Sequence, residues 1–210
     1  MTNDMPKHTP ARPLGDIVND LWGPSEQPEE AVSTRPVYQS TFPPFERLWK
    51  VSDETVDWTD ALVHEHPTDN MTSEGLWAFF HQHAEAVLSG KIDAYLEVLR
   101  AANPLGDLSP YAQSFQVETV SADRLRVRFT ALPAYMSTSE AEVRRYLAGV
   151  SLRAARDLMA LLPVQDVCVE AIHEEQTRLN VCFERPELQK VRFGFIDPIA
   201  FVLQCGGEFA

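Results

Sequence analysis

Glycine is sparse in this chain, nine in 210 residues, and only four lysines occur, at positions 7, 50, 91 and 190. The sequence contains no G-x-x-x-x-G-K-[ST], no G-x-G-x-x-G and no G-x-S-x-G. A phosphate-cradling loop, a dinucleotide fingerprint and a nucleophile elbow therefore lack their material. No apolar run approaches the roughly 18 to 20 residues that span a bilayer. The opening MTNDMPKHTPARPLGD lacks the continuous apolar stretch of a secretory signal. Three cysteines, Cys168, Cys182 and Cys205, are too few and too scattered for a disulfide framework. That points to a reducing cytosol. Positive charge is short as well: 18 basic residues against 31 acidic leave a net charge of −13. Such a charge repels a phosphate backbone, so nucleic acid and anionic membrane surfaces are not expected partners.

What is present divides near residue 71. Residues 1–71 hold nine of the fifteen prolines and three of the four tryptophans. Each proline removes an amide donor and pushes its predecessor toward extended geometry, so long helices and central strands are disfavoured there. The segment reads as a proline-rich, acidic extension with two apolar anchors. In PLGDIVNDLWG, Leu14, Ile17, Leu21 and Trp22 recur at helical spacing. In FPPFERLWK, Phe42, Phe45 and Trp49 gather beside a rigid proline pair.

From residue 72 to 210 the pattern is that of one α+β domain. A helix capped by Thr72 or Ser73 runs through EGLWAFFHQHAEAVLSG, breaks at Gly90, and resumes in KIDAYLEVLRAAN until Asn103-Pro104. QSFQVETV and RLRVRFTAL alternate with period two about Ser121-Ala122-Asp123, which predicts a hairpin. A serine-and-acid cap at 137–140 starts a long helix with a stripe of Val143, Leu147, Val150, Ala154, Leu158 and Leu161. QDVCVEAI and RLNVCF form a second hairpin through HEEQT, and Asp197-Pro198 starts a last short helix. Two hairpins, each preceded by helix, predict a four-stranded antiparallel sheet with the helices on one face.

Register carries two further expectations. Pairing the apolar sets of the second hairpin sets Val169 opposite Val181, and so Cys168 opposite Cys182. In a reducing compartment these read as two free thiols packed as small side chains. In the first hairpin Arg124, Arg126 and Arg128 share a face, with Arg145, Arg153 and Arg156 available from the following helix. That stripe is a candidate anion-binding surface, with Glu118 as a cross-strand partner.

No catalytic constellation assembles. His64 and His66 could point the same way in an extended segment, but in a helix His81 and His83 diverge by about 200°. A lone H-x-H lacks a third ligand, so no metal or cofactor is expected. A Cys168 or Cys182 dyad with His173 would join mid-strand thiols to a hairpin end.

The stretch VSLRAARDLMALLPVQDVCVEA (150–171), followed by FGFIDPIAF (193–201), resembles a bacterial α+β domain to which no activity is attached. The resemblance covers roughly the last 70 residues and implies a compact α+β unit in a bacterial setting. It supplies no catalytic residue. HEEQT is a short loop where similar proteins have a longer excursion.

These readings lead to a non-enzymatic cytosolic protein-binding or assembly factor. Its anchors would engage a protein partner or a second copy of the chain, or else dock on their own body. The alternative is a small-ligand or anion-binding protein or enzyme with a pocket between the sheet and the 74–102 helices, using Arg126, Arg128 and His83.

Overall fold

A computed structural model describes residues 45–67 and 73–210. Leu14, Ile17, Leu21, Trp22 and Phe42 of the predicted anchors lie outside the described residues. The α-helices are α1 (Trp58–Val63), α2 (Glu74–Leu88), α3 (Ile92–Ala102), α4 (Pro133–Met136), α5 (Glu140–Leu161), α6 (Arg185–Gln189) and α7 (Pro198–Gln204). The strands are β1 (Ala112–Ser121), β2 (Arg124–Ala131), β3 (Asp166–His173), β4 (Gln176–Glu184) and β5 (Glu208–Phe209).

Local chemistry explains most of these boundaries. Ser73 caps α2 by accepting from Leu76 N–H, and Asn103 ends α3 in the left-handed conformation at φ 45°. Ser139 and Glu142 close a reciprocal capping box at the start of α5. Asp197 accepts from Ile199 N–H and Pro198 occupies the first turn of α7.

Among the described residues the sheet has five strands in the order β1-β2-β3-β4-β5. Within each consecutive pair β1–β2, β3–β4 and β4–β5 the strands are antiparallel, but β2 and β3 run parallel. The four-stranded, all-antiparallel expectation is corrected on both counts. At about 1.5 Å per residue, the 22 residues of α5 span roughly 33 Å, enough to carry the chain back along the sheet. That makes β2–α5–β3 a crossover unit, which pairs its strands in parallel. The fifth strand is two residues long and too short to leave a period in the sequence.

One face of the sheet is apolar. Leu125, Val127 and Phe129 of β2, Val167 and Val169 of β3, and Leu179 and Phe183 of β4 are all fully buried. The alternate residues face outward, as in an antiparallel sheet with one solvated side. On the buried side α5 packs on β3 and β4, and α3 on β1. α5 is itself covered: the 3-10 turn Leu48–Lys50 and α7 pack on it. Val56 N–H donates to Ala160 O at 2.8 Å and Trp58 Nε1 to Leu161 O at 2.7 Å. Residues ahead of position 72 thus supply Leu48, Trp49, Trp58 and Ala61 to the core.

The C-terminal end of α5 would leave bare carbonyls. Arg185 satisfies them, donating from Nη2 to Met159 O and Leu162 O at 2.8 and 2.6 Å and from Nε to Val164 O at 2.7 Å. Arg185→Ala is expected to lower stability by about 2 kcal/mol in urea unfolding, in the range of hydrogen bonds to a charged donor. Arg185→Lys should recover little, because one ammonium cannot reproduce a planar fork over three carbonyls.

Candidate functional site

A groove of about 290 Å³ lies between residues 52–55, the second half of α5 and the segment 185–193. Arg156 builds one wall. Its Nη1 donates to Trp49 O and Val51 O at 2.6 and 2.9 Å, and its Nη2 to Ser52 Oγ at 2.8 Å. The same guanidinium sits 3.7 Å from the centre of the Phe193 ring, a cation–π contact. One cation thereby fastens the 49–52 segment and the 193–195 turn to α5. Asp53 forms part of the lining and leads to a buried charge cluster.

Arg153 is the hub of that cluster. Its Nε donates to Asp157 Oδ2, and its Nη2 reaches Asp107 at 2.8 Å and Asp53 at 3.3 Å. Asp157 is wholly buried, and its Oδ1 accepts from Asp53 N–H at 2.8 Å. Burial pushes the Asp157 carboxyl up to about 7, overriding the Asp53 amide and Arg153, which both pull it down. Burial also raises the Asp53 carboxyl, against the pull of Arg153. The three carboxylates come from the 53 region, the 3-10 turn Gly106–Leu108 and α5, so the cluster ties three segments together.

Beside the groove stands Phe195, 90% exposed on the 3-10 turn Phe193–Phe195. This turn packs against the turn Leu48–Lys50, which is followed by Val51, 54% exposed. A rigid aromatic and a branched aliphatic thus project next to a groove whose wall is an arginine.

The predicted residues divide between two surfaces. Arg124, Arg126 and Arg128 do share a face, the side of the sheet that no helix of the described residues covers, with their charges matched along the rows. Arg124 pairs with Asp166 at 2.6 Å, Arg126 with Glu118 at 3.6 Å and Arg128 with Glu170 at 2.9 Å. The Thr177 hydroxyl donates to Glu170 at 2.6 Å, and that bond, then Arg128, holds the Glu170 carboxyl below its usual range. Arg153 and Arg156 do not join this stripe, because α5 lies against the opposite face. For the same reason Arg126 and Arg128 cannot line a pocket beneath the 74–102 helices together with His83. Phe45 packs edge-on against Tyr135 and Tyr146, and Trp49 is buried with its ring against Gly149 of α5.

The histidines go separate ways. His64 Nδ1 lies 2.6 Å from Asp60, and His66 Nδ1 3.2 Å from Glu74. His81 Nδ1 donates to Ala61 O at 2.7 Å, whereas His83 meets Phe79 O and Glu97, each at 2.8 Å. Among the described residues no group of three His, Cys, Asp or Glu side chains is placed to hold a metal ion. No helix of the described residues is long and apolar enough to cross a membrane.

Cys168 and Cys182 are directly opposed, as the register argument predicts, but they are joined as a disulfide. The reading of two free thiols is corrected. Opposed positions on neighbouring antiparallel strands bring the two Cβ atoms close enough for their sulfurs to bond. Cys205 stays free, its thiol pushed up by burial and by Glu187 and Glu184.

Sequence reasoning overlooked Phe195 and Asp157, and it placed Arg153 on the anion-binding stripe rather than in the charge cluster. The Phe-Gly-Phe run offered a signal for the first, since residues i and i+2 of a tight turn point to different sides. The Arg153–Asp157 spacing, four apart on a helix, offered one for the others. No family model matches the chain, and neither a curated protein nor a solved structure matches it.

Proposed function

We propose that this chain is a non-enzymatic protein-binding or assembly factor of the cytosol, and that it engages its protein partner through Phe195, Val51 and the adjoining groove. The supporting observation is the exposure of Phe195. A phenylalanine left in water forgoes roughly 1.5–3 kcal/mol of burial, which a partner pocket would recover. Its turn is already held by the Arg156–Phe193 stack and by the cap of α7, so little freedom is lost on docking. Aromatic anchors ringed by weaker contacts dominate many interfaces. The anchor role expected for Phe45 and Trp49 passes in this reading to residues that those two help to position.

Affinity capture from the native host, compared by quantitative mass spectrometry, tests the proposal. Phe195→Ser should abolish recovery of a defined protein and leave the melting temperature within about 1 °C, as befits a surface change. Ile92→Ser, an exposed apolar residue on α3, should retain it. Equal recovery with both variants would discard the docking surface. The small-ligand reading keeps one supporting feature, Arg156 and Arg185 in the groove lining. A saturable rise in melting temperature with phosphate- or carboxylate-bearing metabolites would favour it.

A further inference from the structure

We infer that Cys168 and Cys182 form a reversible redox site on the uncovered sheet face, one that exchanges with a dithiol while the domain stays folded. The inference stands apart from the Phe195 surface and rests on three features of the hairpin.

The bond is accessible. Both cysteines occupy outward positions of their strands; Cys168 is half-buried and Cys182 is exposed. Among the described residues no helix covers that side.

The hairpin is held by more than the bond. Val167, Val169 and Ala171 pair with Phe183, Val181 and Leu179 on the other face, all of them buried. β2 and β5 flank the hairpin on either side. The cysteines lie only 14 residues apart, across strands already laddered together. Closing so short a loop constrains the unfolded chain less than a long-range bridge would.

The leaving thiolate has a cationic neighbour. Arg126 is the register partner of Cys168 on β2 and points to the same side, its guanidinium 3.6 Å from Glu118 on β1. A guanidinium beside a thiol favours the thiolate, which departs faster when a disulfide is attacked. Cys205, by contrast, sits half-buried at the end of α7 with its thiol pushed upward.

The exchange is a two-electron step. One thiolate of an external dithiol attacks Cys182 Sγ, the more accessible sulfur, and forms a mixed disulfide. The protein S–S bond breaks, and its electron pair leaves on Cys168 Sγ, which takes a proton from water. The second thiolate of the reductant then attacks the mixed disulfide and releases Cys182 as a thiolate, protonated in turn. The reductant departs as its own disulfide, and the protein holds two thiols. In a reducing cytosol a bond of this kind is transient and responsive rather than structural.

The test equilibrates the full chain with graded mixtures of reduced and oxidised dithiothreitol, traps free thiols by alkylation and counts them by mass. Circular dichroism follows the fold in the same samples. Two thiols, at 168 and 182, should appear together at a defined midpoint while the far- and near-ultraviolet spectra hold. The reduced chain should then take up one equivalent of phenylarsine oxide, a probe for paired thiols, and Cys168→Ser should take up none. Reduction that occurs only as the spectra collapse would make the bond structural and overturn the inference. Thiols that stay free in every mixture would overturn it as well. The double variant Cys168→Ser/Cys182→Ser separates the cases independently: folding with a melting temperature within a few degrees supports the inference, and failure to fold contradicts it.

Discussion

Replacing Arg153 by alanine will destabilise the protein by about 3–5 kcal/mol near pH 8, and by clearly less at pH 5. The cost arises from what the substitution leaves behind rather than from the contact it removes. Asp157 has no exposed surface, and with Arg153 gone its carboxylate keeps only the Asp53 amide as a partner. Asp53 and Asp107 would then face each other and Asp157 with no cation between them. For a domain of this size the loss corresponds to a fall in melting temperature of roughly 10 °C.

The pH dependence follows from the raised Asp157 carboxyl. In the folded chain it titrates at about 7, against 3.8 for an ordinary aspartate. Between those values the native state holds a proton that the unfolded state has released. Stability therefore falls as pH rises, being fully present below about 4 and lost through about 7. Without Arg153 the folded carboxyl moves higher still, so the variant's deficit widens toward pH 8. Chemical denaturation at pH 5 and pH 8 measures both quantities. Asp157→Asn should flatten the wild-type slope. The pair Arg153→Met/Asp157→Leu should be milder than Arg153→Ala, since it removes the buried charge along with its partner. A deficit equal at both pH values would show that Asp157 does not carry the effect.

How far the fold was legible depended on how local each signal was. Ser73, Ser139 and Asp197 declare their helices because a cap is a contact between residues two or three apart. The register of Val169 on Val181 was equally legible, because period two leaves only one way to bury both apolar sets. What lay beyond reach involved distant segments. Nothing in either hairpin says that β2 must meet β3, or that it must do so in parallel; the length and docking of α5 decide it. Arg153 and Arg156 carry the same charge as Arg124, yet the strand arginines are solvated while the helical pair is spent on the buried Asp157, the half-exposed Asp53 and Asp107, and backbone carbonyls. Only the packing of residues 45–57 over α5, about 100 positions away in sequence, separates these fates. Phe195 was hidden for a related reason, because exposure is a property of what fails to cover a residue.

Trp49→Ala should cost about 3–5 kcal/mol, whereas Trp49→Phe should cost far less. The indole is buried where the 3-10 turn Leu48–Lys50 crosses α5, and a Cβ at Gly149 would come within 3.1 Å of its ring. Glycine at 149 is therefore the notch that lets the turn lie close to the helix. Removing the ring leaves a cavity there and loosens the carbonyl of residue 49 that Arg156 holds. Phenylalanine keeps most of the buried area. It also deletes an Nε1–H that is buried without a hydrogen-bond partner, a group whose loss offsets part of the reduced packing. The series distinguishes the two roles open to this tryptophan. An anchor reserved for another protein would tolerate alanine in the isolated chain and reveal its loss only in complex formation. A residue committed to its own core shows the full deficit in unfolding of the chain alone, with Phe195 and Val51 displaced because the turn beneath them has lost its footing. Urea unfolding of the two variants, read beside partner capture by Trp49→Phe, decides between them. Near-native stability of Trp49→Ala would return the anchor role to residue 49 and take it from Phe195.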